Sequence, residues 1–301
     1  MRTIIVGAGA MGSLFGGLMA LAGQDVILYD VDSAKVDQVN KNGLVIMGQD
    51  QRPRQVGIKA MASLAGPMPA DLFIVFVKSY QTAAAARQIS PFAAGAAILT
   101  LQNGLGNVEA LSEYFAAEQI FAGVTYQGSR QVSSNTIRHT GSGLTSIAPL
   151  YAQNMPRAGQ IADFLSACSS PAKATIDLAA MLWQKLIVNS VINPVAAISG
   201  LKNGQLLQSA EWLPFMQAIA AEGIAVARAE GAAIAYEEIW AAVEQTCRLT
   251  ADNKASMLAD VESGRKTEIE AINGSIVRLG LKYGIETGAN LSIMQKVISL
   301  A

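Results

Sequence analysis

A glycine-rich segment near the start of the chain most strongly constrains its fold. Residues 3–6 form a short apolar, β-branched run, and Gly7, Gly9 and Gly12 follow it in the spacing Gly-x-Gly-x-x-Gly, ahead of a helical stretch over 13–21. A strand, a tight glycine turn and a helix in this order are typical of a dinucleotide-binding unit. The first glycine permits the turn, the second lets a pyrophosphate approach the backbone, and the third lets the helix pack on the strand. We therefore predict that the cofactor-binding residues of this turn are Gly7, Ala8, Gly9, Ala10, Met11 and Gly12.

An acidic residue ends the next predicted strand, which covers residues 26–29. Asp30 stands at the position where an acid accepts hydrogen bonds from the ribose 2′-hydroxyl of NAD and repels the 2′-phosphate of NADP. Asp32 adds a second negative charge, and Lys35 is the nearest basic residue. This pattern favours NAD(H) as the cofactor and leaves NADP(H) open. The alternative is that Asp30 only ends the strand or caps the following helix.

Apolar runs and helical segments alternate through the first half of the chain. Further strands are predicted at 72–77 and 97–101, with short strands at the sheet edge within 120–150, and helices are predicted from Ser33 to about Asn40, at 80–88 and at 108–115. Continuous apolar strands separated by helices indicate a parallel sheet that is covered on both faces. From about residue 178 the spacing is helical, over 178–192, 212–230, 236–249 and 268–283. The expected fold class is α/β, with a dinucleotide-binding domain at 1–175 and an all-helical domain at 176–301.

Composition excludes several classes of function. Lys and Arg number 22 against 23 Asp and Glu, without a basic cluster, so no nucleic-acid partner is expected. The one histidine, His139, is interpreted as a surface or loop residue, so histidine-rich metal sites are not expected and a proton donor has to be sought among other residue types. Two distant cysteines fit a reducing, cytoplasmic setting. The N-terminal stretch is not expected to be a signal peptide, because its many glycines disfavour the helical apolar region of such a peptide. No membrane partner is expected.

One helix face in the second half carries three polar residues in apolar surroundings. Lys185, Asn189 and Asn193 are spaced i, i+4 and i+8, so they share a face. Unpaired buried polar groups are costly, so these side chains need partners. The partners are either a ligand, or neighbouring backbone carbonyls or an interdomain network of hydrogen bonds. Pro194 disfavours helix at Asn193, so we expect a kink or a helix end there, with backbone groups and the Asn193 side chain available to a ligand.

A later stretch concentrates further polar and acidic residues. Ser256 begins the run SMLAD, and Glu268 and Glu270 lie in the run TEIE, which is predicted to start a helix. Acidic residues in a first helical turn stabilise the helix dipole, and this ordinary role is the alternative to a catalytic one.

Together these motifs resemble the ketopantoate reductase (2-dehydropantoate 2-reductase) family over nearly the whole chain. The matching segments are GAGAMG at 7–12, Lys78 after LFIVFV, LQNGLG at 101–106, WQKLIVNSVINPVAA at 183–197, and SMLAD with GRKTEIEAINGSIVRLG at 256–280. The resemblance implies a Rossmann domain followed by an all-helical domain, and reduction of a small-molecule 2-oxo acid by hydride transfer from a nicotinamide cofactor in the interdomain cleft.

The resemblance also implies roles at matching positions. Lys185 resembles the catalytic general acid, and Glu268 the glutamate that contacts that lysine or the substrate hydroxyl. The expected substrate contacts are Asn103, Asn189, Asn193 and Ser256. Lys78 and Asn103 match residues at the cofactor, with Asn103 beside the nicotinamide.

The segment Asp30-Val31-Asp32 departs from the family pattern, because many members use NADPH and carry a basic residue at this place. The departure keeps an NAD-dependent D-2-hydroxyacid dehydrogenase of the mandelate type open as an alternative. A non-catalytic NAD-binding sensor is a further alternative, against which the retained Lys185 and Glu268 argue. A homodimer is compatible with the Ala- and Leu-rich helical half.

Overall fold

In a computed structural model, which describes residues 1–66 and 68–300, the chain forms two units. Unit 1 contains residues 1–102 and 107–178, and unit 2 contains residues 103–106 and 179–301. The division therefore falls at residue 178, where the sequence placed it at 175. Residues 103–106, which we had assigned to the first domain, pack with unit 2, because Leu105 lies against its hydrophobic core.

Apolar four-residue strands form the centre of the larger sheet in unit 1. In the described part of the chain the strands are β1 Thr3–Val6, β2 Val26–Tyr29, β3 Leu44–Met47, β4 Pro53–Val56, β5 Lys59–Met61, β6 Leu72–Val75, β7 Ala97–Thr100, β8 Ile120–Thr125, β9 Gly128–Ser133, β10 Thr136–Gly141, β11 Thr145–Pro149 and β12 Ala172–Ala174. The larger sheet has the order β12-β11-β8-β7-β6-β1-β2-β5. Its pairs are parallel except β8 with β11, so the predicted parallel sheet is confirmed.

Alternate strand residues of this sheet face two separate hydrophobic layers. The helices of unit 1 are α1 Ala10–Leu21, α2 Ser33–Asn42, α3 Thr82–Ile89, α4 Asn107–Ser112 and α5 Met155–Ala167. Ile5 and Ile74 pack with α1, α2 and α5 on one face, whereas Ile4 and Phe73 pack with α3 and α4 on the other. Helices on both faces explain why these strands are continuously apolar.

A second sheet, in the order β4-β3-β10-β9, lies against α1. Strands β9 and β10 had been expected at the edge of the main sheet, and that expectation is wrong for these two strands. Leu14 and Leu18 of α1 pack against Ile46 of β3 and Ile137 of β10, which gives the second sheet its own buried face. The glycine-rich N-terminal stretch is therefore a helix packed between two sheets.

Unit 2 is helical, as predicted. Its helices are α6 Leu178–Ser199, α7 Asn203–Leu206, α8 Leu213–Ala229, α9 Tyr236–Leu249, α10 Ser256–Glu262, α11 Asn273–Tyr283 and α12 Gly288–Ile298. Two bounds differ from the sequence predictions: α6 continues through Pro194, and α11 begins at Asn273 instead of residue 268. Among the residues described, no helix is both long and apolar enough to cross a membrane.

Candidate active site

The glycine turn between β1 and α1 leaves one side of its backbone open. Gly7 has φ +97°, and a Cβ there would lie 2.9 Å from the Val77 nitrogen; a Cβ on Gly12 would lie 1.9 Å from the Gly7 carbonyl oxygen. A Cβ on Gly9, by contrast, would meet nothing within 4 Å. Gly9 is the N-cap of α1, whose first N–H groups have no partner within the helix. The turn is thus closed on its protein side and open on the side where a phosphate would approach.

Asp30 lies against this turn. Its Oδ2 accepts a hydrogen bond from the Ala8 backbone N–H at 2.7 Å, and its Oδ1 accepts one from the Asp32 N–H at 3.0 Å. The Lys35 Nζ is 4.0 Å from Oδ2. The residue that caps α2 is Asp32, whose Oδ1 accepts from the Lys35 N–H, so the alternative cap role for Asp30 is wrong.

Lys78 follows β6 at the same edge of the sheet, one residue after Val77, whose nitrogen adjoins Gly7. A buried glutamine that the sequence reasoning did not single out holds this segment. The Gln102 side chain donates to the Val77 carbonyl at 2.7 Å and to the Thr82 hydroxyl at 2.8 Å, and it accepts from the Thr100 hydroxyl. The strand ends at β6 and β7 are therefore tied together by one side chain of the LQNGLG motif.

In unit 2, the shared helix face predicted for α6 is present. Lys185 and Asn189 are partly buried and Asn193 is buried. The Asn189 side chain donates to the Asn103 Oδ1 at 3.4 Å. Asn103 lies in a loop that docks on the turn before α11, because the Leu105 N–H donates to the Ala271 carbonyl at 3.0 Å. The close approach of Gly104, with φ +81°, to Ala271 requires glycine at that position.

Glu268 lies in this turn and not at the start of a helix. Its carbonyl accepts from the N–H groups of Ala271 and Ile272, which close the turn over residues 268–272. Its side chain is buried, whereas Glu270 is exposed and pairs with the Lys266 Nζ at 3.2 Å. The two glutamates of the TEIE motif therefore differ: Glu268 faces the protein interior and Glu270 faces solvent.

The Lys185 ammonium is influenced by the Glu268 carboxylate. Burial, the larger effect, lowers the pKa of Lys185 to about 8, and the negative charge of Glu268 opposes this change. An amine with this pKa carries a transferable proton near neutral pH. The structure thus brings together the two residues that the sequence predicted as catalytic.

Two predictions need correction, one about α6 in unit 2 and one about His139 in unit 1. Pro194 neither ends α6 nor leaves backbone groups available: the helix runs to Ser199, and the Ser190 carbonyl that Pro194 deprives of a donor accepts instead from the Asn273 side chain at 3.0 Å. His139 is not in a loop but in β10, where its Nε2 lies 2.9 Å from the Gln127 Oε1, and burial lowers its pKa. The sequence could not show either contact, because Asn273 lies 83 residues from Ser190 and Gln127 lies in the connection between β8 and β9, 12 residues from His139.

The remaining predicted residue, Ser256, is exposed at the first position of α10. Within residues 1–66 and 68–300, no group of three or more His, Cys, Asp or Glu is arranged to hold a metal ion.

Comparison with known proteins gives consistent matches. The family models described as "Ketopantoate reductase PanE/ApbA" and "Ketopantoate reductase PanE/ApbA C terminal" match residues 3–151 and 177–301. The curated 2-dehydropantoate 2-reductase of Archaeoglobus fulgidus is 34% identical over 297 residues, which cover 98% of this chain and 96% of the relative. The 2-dehydropantoate 2-reductase of Halobacterium salinarum is 32% identical over 285 residues, 95% of this chain and 94% of the relative.

Solved structures match over the whole chain. A ternary structure of D-mandelate dehydrogenase with NADH and anilino(oxo)acetate has a TM-score of 0.96 and 25% identity, and the match covers 100% of this chain and 98% of that one. A PanE/ApbA family ketopantoate reductase from Ralstonia eutropha has a TM-score of 0.90 and 30% identity, with the same coverage.

Proposed function

This chain belongs to the ketopantoate reductase family, and on that premise we propose that it is an NAD(P)-dependent oxidoreductase that reduces 2-dehydropantoate to pantoate. The observation that carries the proposal is the arrangement of Lys185 on the face of α6 that also holds Asn189, bonded to Asn103, and buried Asn193, with the charge of buried Glu268 acting on the lysine. A buried ammonium next to a carboxylate provides a proton donor where a carbonyl oxygen becomes negatively charged.

The residues of unit 1 fit a dinucleotide. The open side of Gly9, the N-terminus of α1 and the carboxylate of Asp30 would hold the pyrophosphate and the adenosine ribose. When bound, the nicotinamide supplies a hydride to the carbonyl carbon of the substrate. We infer a preference for NADH, because Asp30 presents a carboxylate where NADPH carries its 2′-phosphate; Lys78 is the expected further cofactor contact.

The proton side of the reaction follows from Lys185. Its ammonium donates a hydrogen bond to the carbonyl oxygen of the 2-oxo acid and transfers a proton from Nζ as that oxygen becomes an alkoxide. The negative charge of Glu268 favours the protonated form of the lysine and so opposes the lowering of its pKa by burial. Asn103, Asn189, Asn193 and Ser256 are proposed to hold the substrate carboxylate and hydroxyl. Since the donor must be protonated, the rate of reduction should fall as pH rises through about 8.

The first test replaces the proton donor. We expect Lys185→Ala to lower kcat by roughly 10²- to 10⁴-fold and to leave the Kd for NADH within a factor of about two. Lys282→Ala, which removes an exposed lysine paired with Glu230, is the matched control and should keep full activity. Near-normal turnover in Lys185→Ala would contradict the assigned role.

A second candidate function is a D-2-hydroxyacid dehydrogenase of the mandelate type. The high TM-score to the D-mandelate dehydrogenase structure, together with Asp30, favours it.

A matrix of kcat/KM values distinguishes the candidate functions. It compares NADH and NADPH as cofactors with 2-dehydropantoate, phenylglyoxylate and 2-oxoisovalerate as substrates. Preference for phenylglyoxylate would favour the dehydrogenase, and strong NADPH preference would refute the role of Asp30. NADH binding without turnover of any 2-oxo acid would point to a sensor. Light scattering of the same preparation measures the oligomeric state, for which the sequence left a homodimer open.

A further inference from the structure

A proline in the middle of α6 deprives that helix of one internal hydrogen bond. In a regular helix the N–H of residue 194 would donate to the carbonyl of residue 190, but Pro194 has no N–H. The Ser190 carbonyl is deep in unit 2, since Ser190 itself is fully buried. The Ser190 hydroxyl does not fill the gap, because it donates to the Ile187 carbonyl at 2.8 Å.

The missing donor comes from another helix. The Asn273 side chain, which is fully buried, donates from Nδ2 to the Ser190 carbonyl at 3.0 Å and to the Asn290 Oδ1 at 3.0 Å. The orientation of its amide follows from its neighbours. Asn290 uses its own Nδ2 on the Ile219 carbonyl and on Glu222, so its Oδ1 faces Asn273 and requires a donor there.

Asn273 also stands at a particular place in the chain. It directly follows the turn over residues 268–272, which contains Glu268 and whose Ala271 carbonyl anchors the loop of Asn103. On the other side, Ser190 lies on α6 between Lys185 and Asn193. The bond from Asn273 to Ser190 therefore joins the segment that holds Glu268 and Asn103 to the helix that carries Lys185, and the Asn189–Asn103 bond is a second link between them.

We propose that Asn273 is a positioning residue for the reaction: its side-chain amide replaces the N–H that Pro194 lacks and thereby fixes α6, with Lys185, against the turn that carries Glu268. The inference rests on the proposed function, because it assigns Asn273 a role through Lys185. The same bond would be an ordinary core contact if α6 carried no reacting group. A displacement of about 1 Å at a reacting centre lowers rates by about 100-fold, so a lost anchor should be visible in turnover.

The decisive comparison is Asn273→Ala against Asn290→Ala. Both asparagines are fully buried and belong to one hydrogen-bonded cluster, but the bonds of Asn290 reach α8 and Asn273 and not α6. A purely structural role predicts that the two variants behave alike. The measurements are the urea midpoint, the Kd for NADH, and the pH profiles of kcat and KM with the 2-oxo acid that the wild type reduces.

For Asn273→Ala we expect kcat to fall by about 10- to 100-fold with the Kd for NADH unchanged. The basic limb of the kcat profile should move to lower pH, because Glu268 raises the pKa of Lys185 and a looser pair weakens that effect. Asn290→Ala should lower the urea midpoint at least as much, but it leaves the Asn273 Nδ2 bond to the Ser190 carbonyl in place. We therefore expect its kcat to fall by less than about threefold and the basic limb of its kcat profile to stay where it is in the wild type. Equal kcat losses in both variants, or an unshifted limb in Asn273→Ala, would overturn the proposal.

A third variant and an activity-independent measurement cover the remaining outcomes. Pro194→Ala returns an N–H that can donate to the Ser190 carbonyl. In the Pro194→Ala background, Asn273→Ala should therefore lower the urea midpoint much less than it does in the wild type. An equally large loss in both backgrounds, or failure of both Asn273→Ala proteins to fold, would refute the role of the bond. Hydrogen exchange of residues 186–198 should be faster in Asn273→Ala than in Asn290→Ala. The exchange rates test whether Asn273 holds α6 in place even if the wild type reduces no 2-oxo acid. Absence of turnover would refute the proposed function, whereas equal exchange rates in the two variants would refute the role of Asn273.

Discussion

At the scale of single residues, the environment decides what chemistry a side chain can carry. Asp30 and Asp32 are two positions apart, yet Asp32 caps α2 and Asp30 lies against the glycine turn. Glu268 and Glu270 differ in the same way, since one is buried near Lys185 and the other is exposed beside Lys266. In both pairs the residue that lies against other functional groups, Asp30 or Glu268, is the one proposed to take part in cofactor binding or catalysis.

The buried position of Lys185 also has a consequence for stability. Its pKa is about 8 in the folded protein against 10.5 for an ordinary lysine, so the charged form is disfavoured by folding. At this residue the unfolded state therefore binds more protons between pH 8 and 10.5, so the contribution of Lys185 to stability becomes more favourable as pH rises through this window. Below pH 8 the full desolvation cost of the charge is present.

Removing the pair should stabilise the protein while abolishing turnover. Replacing only Lys185 would leave the Glu268 carboxylate buried without its partner, so the informative variant is Lys185→Met combined with Glu268→Gln. We expect its free energy of unfolding at pH 7 to exceed that of the wild type by roughly 1–3 kcal/mol. In urea titrations the difference should narrow as pH rises from about 8 towards 10.5; a difference that is constant with pH would contradict the assigned pKa.

At the scale of secondary-structure elements, the segment formed by β1, the glycine turn and α1 needs glycine for two different reasons: open space for a ligand at Gly9 and close packing at Gly12. A methyl group on Gly9 would meet nothing within 4 Å, whereas one on Gly12 would lie 1.9 Å from the Gly7 carbonyl oxygen. We expect Gly9→Ala to change the free energy of unfolding by less than about 1 kcal/mol and to weaken NADH binding by about 10-fold or more, because the methyl occupies the side open to phosphate. Calorimetry of binding and urea unfolding provide both numbers.

Gly12→Ala should show the opposite balance. The clash can be relieved only by moving α1 away from β1, which we expect to lower the free energy of unfolding by about 1–3 kcal/mol or more. If Gly9→Ala proved the more destabilising of the two, or bound NADH like the wild type, the open side of the turn would not be the pyrophosphate site.

The elements also show which parts of the fold were predictable from sequence. Strands β1, β2, β6 and β7 were predicted to within two residues, because a strand buried on both faces is a continuous apolar run. The second sheet was missed, since β3 pairs with β10 some 90 residues later in the chain and β4 is mostly exposed. No local pattern contains such a pairing.

The candidate site was also predictable only where its residues form a local pattern, and the predictions were wrong where a contact joins distant segments of the chain. The spacing of Lys185, Asn189 and Asn193 placed them correctly on one helix face. The continuation of α6 through Pro194 was not predictable, because the compensating donor, Asn273, comes from a segment 79 residues further along. The roles of these residues rested on family resemblance, which residue spacing alone does not supply.

At the scale of the whole molecule, each unit contains one buried thiol. Cys168 belongs to a hydrophobic core of unit 1 and Cys247 to the core of unit 2. Burial raises the pKa of Cys168, and it raises the pKa of Cys247 to about 12. The thiolate is the reactive form, so alkylation of either cysteine in the native protein requires that its own unit opens.

The two thiols therefore allow the cofactor-binding unit to be identified without any activity measurement. If NADH binds unit 1, as proposed, it should slow iodoacetamide labelling of Cys168 by up to about 100-fold at a concentration 100 times its Kd, because the opened unit no longer binds. Labelling of Cys247 should change far less. Peptide mass spectrometry at several NADH concentrations measures both rates in one sample. Equal slowing at both cysteines would mean that the units open together, and slowing at Cys247 alone would place the cofactor in the helical unit, against the assignment made from the glycine turn.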